Sequence, residues 1–124
     1  MNPENLKIGA YYYPGWHPCR VRDASFPRNW NEWQLVYNCK PAFSGHEQPK
    51  LPLWGPENEA EPEVFSKKIA AAEQYGVDLF VFAYYWSRGK RLLEGTLNDG
   101  FLKNNRRGKT AFALMWANRM PRKV

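Results

Sequence analysis

A chain of 124 residues holds one domain at most, and its 44% hydrophobic and 16% aromatic content marks it as globular with unusual aromatic weight. No apolar run reaches the roughly 18 residues a bilayer span needs, and no membrane partner is expected. The formal charge of +6 raises nucleic acid as a partner, but much of the excess falls in Lys103–Lys109 and Arg119–Lys123. Such short runs read as solvated surface, so no nucleic-acid partner is expected. The opening MNPENLK lacks the apolar centre of a signal peptide. The expected location is cytoplasmic if Met1 is the native start, and exported if a leader was removed.

In chain order, Lys7–Tyr13 reads as a first strand stopped by the turn dipeptide Pro14-Gly15. A long connection over residues 14–60 follows and carries most of the prolines. Connections of that length are functional or disordered, and the rings of Trp16, Phe26, Trp30, Trp33, Tyr37, Phe43 and Trp54 need something to pack on. The segment therefore reads as a structured cap over the strand ends. Within it, Asn29 is placed to cap a short helix carrying Trp30, Trp33 and Tyr37. Cys19 and Cys39 share this loop and read as two reduced thiols, with a disulfide worth about 3 kcal/mol as the alternative. No Cys or His spacing points to a metal, and no cofactor is expected.

Glu61-Pro62-Glu63 opens a helix in which Phe65, Ile69 and Ala72, flanked by Val64 and Tyr75, form a buried stripe. Gly76 ends it in a left-handed conformation. Val77–Tyr85 is so uniformly apolar that it reads as a strand buried on both faces, as in a parallel sheet. Ser87–Gly95 reads as a basic loop and Leu97–Asn104 as a weaker helix. Thr110–Trp116 is a third strand. Tyr11, Phe80, Phe82 and Phe112 fall inside strands and read as core. The fold class is α/β, the β-α-β-α-β opening of a (β/α)8 TIM barrel that is incomplete in this chain, with residues 1–124 as a single N-terminal portion and strands at about 7–13, 77–85 and 110–116. Open strand edges invite self-association.

In such sheets chemistry sits beyond the C-terminal strand ends. Tyr12, Tyr13 and Trp16, then Tyr85 and Trp86, then Trp116 and Asn118 gather there, and the long loop adds His46 and Gln48. Aromatic faces with a few amide, imidazole and hydroxyl groups suit a sugar ring. Glycoside cleavage usually needs two carboxylates flanking the bond, and nothing in the spacing of Glu32, Glu47 and Glu94 pairs any two of them.

The run AYYYPGW, the NEWQLV segment, Gly45-His46-Glu47-Gln48-Pro49, PEVFSKKIAAAEQYGVDLFVFAYYW, Gly89–Glu94 and LMWAN occur in one order over nearly the whole chain. This pattern resembles the start of the glycoside hydrolase family 99-like group, which includes the WbsX-like proteins often labelled glycosyltransferases of polysaccharide gene clusters. The resemblance implies a barrel that acts on oligosaccharide or polysaccharide. By position it implies substrate binding by Tyr12, Tyr13, Trp16, His46, Gln48, Tyr85, Trp86, Lys90, Trp116 and Asn118. The family's catalytic carboxylates belong to a later segment, so the catalytic residues are unknown here and Glu32 does not inherit the role. Arg119 stands where many relatives carry an acid after W-A-N. Two alternatives stay open: a non-catalytic glycan-binding module, and a glycosyltransferase-associated protein of polysaccharide biosynthesis.

Overall fold

The computed structural model describes residues 6–117. In chain order these form β1 (Gly9–Tyr12), a 3-10 turn (Arg22–Ala24), α1 (Trp33–Tyr37), α2 (Pro62–Gln74), β2 (Leu79–Ser87), β3 (Lys90–Leu92), a π-helical turn (Thr96–Phe101) and β4 (Ala111–Trp116). β2 is the hub. β1 lies parallel to it from Gly9↔Leu79 to Tyr12↔Phe82, and β4 lies parallel to it from Leu79↔Ala111 to Tyr84↔Trp116. The three expected strands thus run side by side in one direction. The result is a mixed α/β fold whose four-stranded sheet is open, not closed.

Helix α2 follows from its sequence. Pro62 sits in the first turn, and Phe65, Ile69 and Ala72 recur on one face and are all buried. Tyr75, expected beside that stripe, is instead 78% exposed, because the chain turns away directly after it. Gly76 takes the left-handed conformation at φ +78°, and the Val77 N–H reaches back to the Ala72 carbonyl at 2.8 Å. That six-residue closure is a Schellman cap, which needs a residue free to adopt positive φ.

Phe65, Phe82 and Phe101 form the centre of the core with Ile69, Phe80 and Leu97. Their rings meet at 5.4–6.1 Å between centroids, and the Phe65–Phe101 pair is edge-on. Each buried ring contributes about 1.5–3 kcal/mol relative to exposure.

Four expectations need correction. β2 is not buried on both faces: Phe80 and Phe82 are buried under the helices, whereas Leu79 and Val81 on the opposite face are only half-buried. Tyr11, aligned with Val81, shares that opposite face and is 79% exposed. Phe112 touches Phe101 at 5.8 Å but stays 41% exposed, since no helix among the described residues covers β4. Asn29 does not cap α1; it adopts φ +63°, Trp30 lies outside the helix, and the Asn31 carboxamide oxygen accepts the Trp33 N–H at 3.0 Å.

Two elements were not expected as they stand. The basic loop after β2 contains β3, paired antiparallel through Ser87↔Lys90, Trp86↔Arg91 and Tyr85↔Leu92. Arg88 and Gly89 both have positive φ, the conformation a two-residue hairpin needs to match strand twist. The weaker helix shortens to the π turn, with the Leu102 N–H bonded five residues back to the Leu97 carbonyl at 2.8 Å. Gly100 lies directly against the Glu59 carbonyl, leaving no room there for a side chain.

Candidate functional site

At the C-terminal ends of the parallel strands the structure brings Tyr13 and Tyr85 together, edge to face at 6.2 Å. Tyr13 is fixed from behind. Its hydroxyl donates to Glu32 Oε1 at 2.6 Å, and the Arg22 guanidinium reaches the same oxygen at 2.8 Å. Arg22 in turn lies over the rings of Trp30 (4.1 Å) and Phe26 (5.0 Å), which stack on each other. Burial, with the hydrogen-bonded Glu32 carboxylate second, pushes the Tyr13 phenol well above its ordinary value. Tyr13 is therefore a neutral hydroxyl on a rigid mount. Gly15 makes the mount possible, because a side chain there would strike both the Tyr13 ring and Glu32 Cγ.

The other expected residues fall in several places. Trp116 extends from β4 beside Tyr84, with centroids 6.1 Å apart, and is 60% exposed. Trp86 is 49% exposed opposite Arg91, and Lys90 is exposed on β3. By the strand alternation Trp86 and Trp116 lie on the same face as Tyr84, opposite to the face that carries Tyr13 and Tyr85. Tyr12 does not join them: it packs among Phe65, Phe80 and Phe82 at 5.2–5.4 Å, on the helix-covered face. Trp16 packs against Trp33 within the long loop, with ring centroids 4.4 Å apart and the planes tilted by 45°. His46 and Gln48 meet each other at 3.2 Å, and His46 stacks on Phe43 and accepts the Ala42 N–H, so all their polar contacts are local. Asn118 and Arg119 lie outside the described residues.

Three buried polar groups escaped the sequence reading. His17 is 4% exposed, with Nδ1 3.0 Å from the Thr96 hydroxyl, which also donates to the Pro14 carbonyl. Burial lowers the imidazole from its usual range, while the carboxylates of Glu94 and Asp99 pull the other way. Glu59 is 3% exposed and pairs through Oε1 with Lys68 at 2.9 Å. Desolvation raises its carboxyl, and the Lys68 ammonium opposes that shift. The third is Asn104, whose amide donates to the Pro62 carbonyl at 2.7 Å and joins the turn after the π helix to α2. Thr96 lies 79 residues from His17, Lys68 lies 9 from Glu59 and Pro62 lies 42 from Asn104, and no local pattern announces these contacts.

Cys19 is buried and Cys39 exposed, both as free thiols. Among the described residues no group of three or more His, Cys, Asp or Glu gathers to hold a metal ion. No helix among them is long and apolar enough to cross a membrane.

Fold and rim together define an α/β protein with an open, largely parallel sheet whose C-terminal strand ends carry aromatic side chains. The chain belongs to the WbsX family: the family model described as Glycosyltransferase WbsX matches residues 8–123. It is thus a carbohydrate-related protein. It is also similar to two proteins called "Uncharacterized protein WxcX", from Xanthomonas campestris pv. campestris strains B100 and ATCC 33913. Each is 34% identical over 119 residues, covering 94% of this chain. The chain spans 17% of the length of these curated relatives. No solved structure matches it.

Proposed function

We propose that the chain forms the opening β-α-β-α-β portion of a (β/α)8 barrel and contributes an oligosaccharide-binding rim at its C-terminal strand ends. The observation that carries this reading is the composition of that rim. Tyr13 and Tyr85 form an edge-to-face pair on a fixed mount, and Trp86 and Trp116 present half-exposed indoles from the other face of the same strand ends. Indole and phenol rings cover the apolar C–H faces of a pyranose, and the Tyr13 hydroxyl and the exposed Lys90 ammonium supply orienting polar contacts. The open sheet face, with Tyr11, Val81 and Met115 half-buried or exposed, has the character of a barrel interior awaiting further strands. In this reading the hydrolytic step, cleavage of a glycosidic bond by paired carboxylates, belongs to the complete barrel. The chain alone is inactive. His46 and Gln48 reach substrate only if their loop folds over the rim.

A second reading, a glycosyltransferase-associated role in polysaccharide biosynthesis, is favoured by the description of the matching family. Both readings share the glycan-binding rim. Calorimetric titration with mannose-containing oligosaccharides and with oligonucleotides, each at two salt concentrations, tests that shared part. Neutral-sugar binding should be saturable and almost unchanged by salt, whereas binding to phosphates weakens steeply. Binding of oligonucleotide alone would overturn both readings.

A further inference from the structure

We infer that the glycan met at the strand ends is acidic, and that the β2–β3 hairpin reads its charge through Arg88, Lys90 and Arg91. The inference rests on the carbohydrate reading for the kind of ligand and adds the charge, which that reading leaves open.

The hairpin stands clear of the sheet. β1 pairs with β2 only as far as Phe82, and β4 only as far as Tyr84, so Tyr85, Trp86 and Ser87 continue past both neighbours with β3 alone beside them. Residues opposite one another on paired strands share a face. Lys90, opposite Ser87, therefore lies on the face of Tyr85 and Tyr13. Arg91, opposite Trp86, lies on the face of Trp86 and Trp116. Arg88 occupies the tip, so a ligand crossing the strand ends on either side meets a cation.

These charges have no protein partner. Arg88, Lys90 and Arg91 are all exposed, and among the described residues none of them forms an ion pair. Lys7, Arg22, Lys67, Lys68 and Lys103, by contrast, each have an acidic partner. The next acid along the chain, Glu94, is half-buried beyond the buried Leu93, and its field falls on His17. The turn is held in place despite the mutual repulsion of the three cations. Arg88 adopts φ +48°, where Asn or Gly would sit more easily, and Leu93 at φ +58° buries its side chain directly after β3. Strained residues persist where their surroundings fix them, and they gather at ligand sites. An anion relieves the repulsion, and guanidinium groups take oxyanions through two parallel hydrogen bonds. One anionic group cannot meet cations on both faces and at the tip, so anions repeated along a polysaccharide fit best. Nucleic acid offers the same repetition, and the carbohydrate-related family favours the glycan.

The test is calorimetric titration of the 124-residue chain with three oligosaccharides of similar length. One is neutral and contains mannose, one is an oligogalacturonate carrying carboxylates, and one is a dextran fragment carrying sulfates. Each is run at about 0.02 M and about 0.15 M salt, to vary the screening. At low salt at least one acidic oligosaccharide should bind about tenfold tighter than the neutral one, the sum of three exposed charge pairs. That advantage should shrink at the higher salt, and the arm that shows it names the anion. Arg88→Gly combined with Arg91→Gln should remove most of the preference, and glycine suits the positive φ at position 88, so a melt should show this variant folded. Arg91→Glu should turn the preference toward the neutral oligosaccharide. Equal affinity for acidic and neutral oligosaccharides in the unmodified chain overturns the charge reading and leaves the rim standing. No binding of any oligosaccharide removes both. Binding of an acidic oligosaccharide alone, lost in the double variant, supports the hairpin and removes the neutral rim. A preference that survives the double variant overturns the assignment, as does an oligothymidylate of equal charge that binds as tightly.

Discussion

The two faces of one sheet behave as two different materials. On the face covered by α2 and the π turn, Phe80 and Phe82 are buried against Phe65 and Phe101. On the other, Tyr11 and Met115 stand 79% and 39% exposed, although both come from strands just as apolar in sequence. β4 takes the contrast further, because Phe112 and Leu114 are also exposed on the helix side, although Phe101 of the π turn touches the Phe112 ring. Apolar content therefore does not decide burial here. What decides it is whether another element lies over the strand. An apolar strand face without a cover is a surface prepared for a neighbour, whether further strands or a second copy.

The largest effect expected from this contrast is on stability. Phe82→Ala should cost about 3–5 kcal/mol in a denaturant melt, because it empties the centre of the core. Leu114→Ala, at a site 52% exposed, should cost less than about 1 kcal/mol. If Leu114→Ala proved as costly as Phe82→Ala, the helix side of β4 would be covered in solution, and light scattering would then read a self-associated species.

A middle effect is expected at the seam that holds the cover in place. Asn104 is buried, donates to the Pro62 carbonyl and accepts the Arg106 N–H at 2.8 Å. Asn104→Ala leaves that part-buried carbonyl with less satisfaction and should cost about 1–3 kcal/mol. An unchanged melting temperature would mean that the seam does not hold the turn to α2.

The smallest effect is pH-dependent. Burial holds the His17 imidazole below its usual value of 6.5. Between that value and the lowered one, the unfolded chain binds a proton that the folded chain refuses. The stability contributed by neutral His17 is thus full above about pH 6.5 and is lost as pH falls through the lowered value. Melts over this range should lose stability on acidification, and His17→Gln should flatten the slope. A slope that survives in the variant would assign the titration elsewhere.

What was legible in the sequence was local. The 3-4 spacing of Phe65, Ile69 and Ala72 and the stop at Gly76 specify α2, and the apolar runs specify three parallel strands. Arg88-Gly89 hides its hairpin because arginine is an unusual residue at positive φ, where Asn-Gly would have announced the turn. The exposure of Tyr11 and Phe112 depends on what covers the sheet, which no strand pattern encodes. Around the candidate site, Tyr13, Tyr85, Trp86 and Trp116 follow from their places at strand ends. Glu32 was visible as a loop acid, but its role as the anchor of Tyr13 rests on contacts across 19 residues of loop. The burial of Glu59 and the pairing of His17 with Thr96 likewise depend on distant parts of the chain meeting.

The central claim is that the exposed rings at the strand ends meet a glycan. The most direct measurement is calorimetric titration of a mannose-containing oligosaccharide into the chain and into its Trp86→Ala and Trp116→Ala variants, both truncated at exposed positions that leave the core intact. The expected result is saturable binding to the unmodified chain, weakened about tenfold or more in each variant, as for tryptophans at the centre of a contact. Equal affinity in all three proteins, or no binding to the unmodified chain, would contradict it.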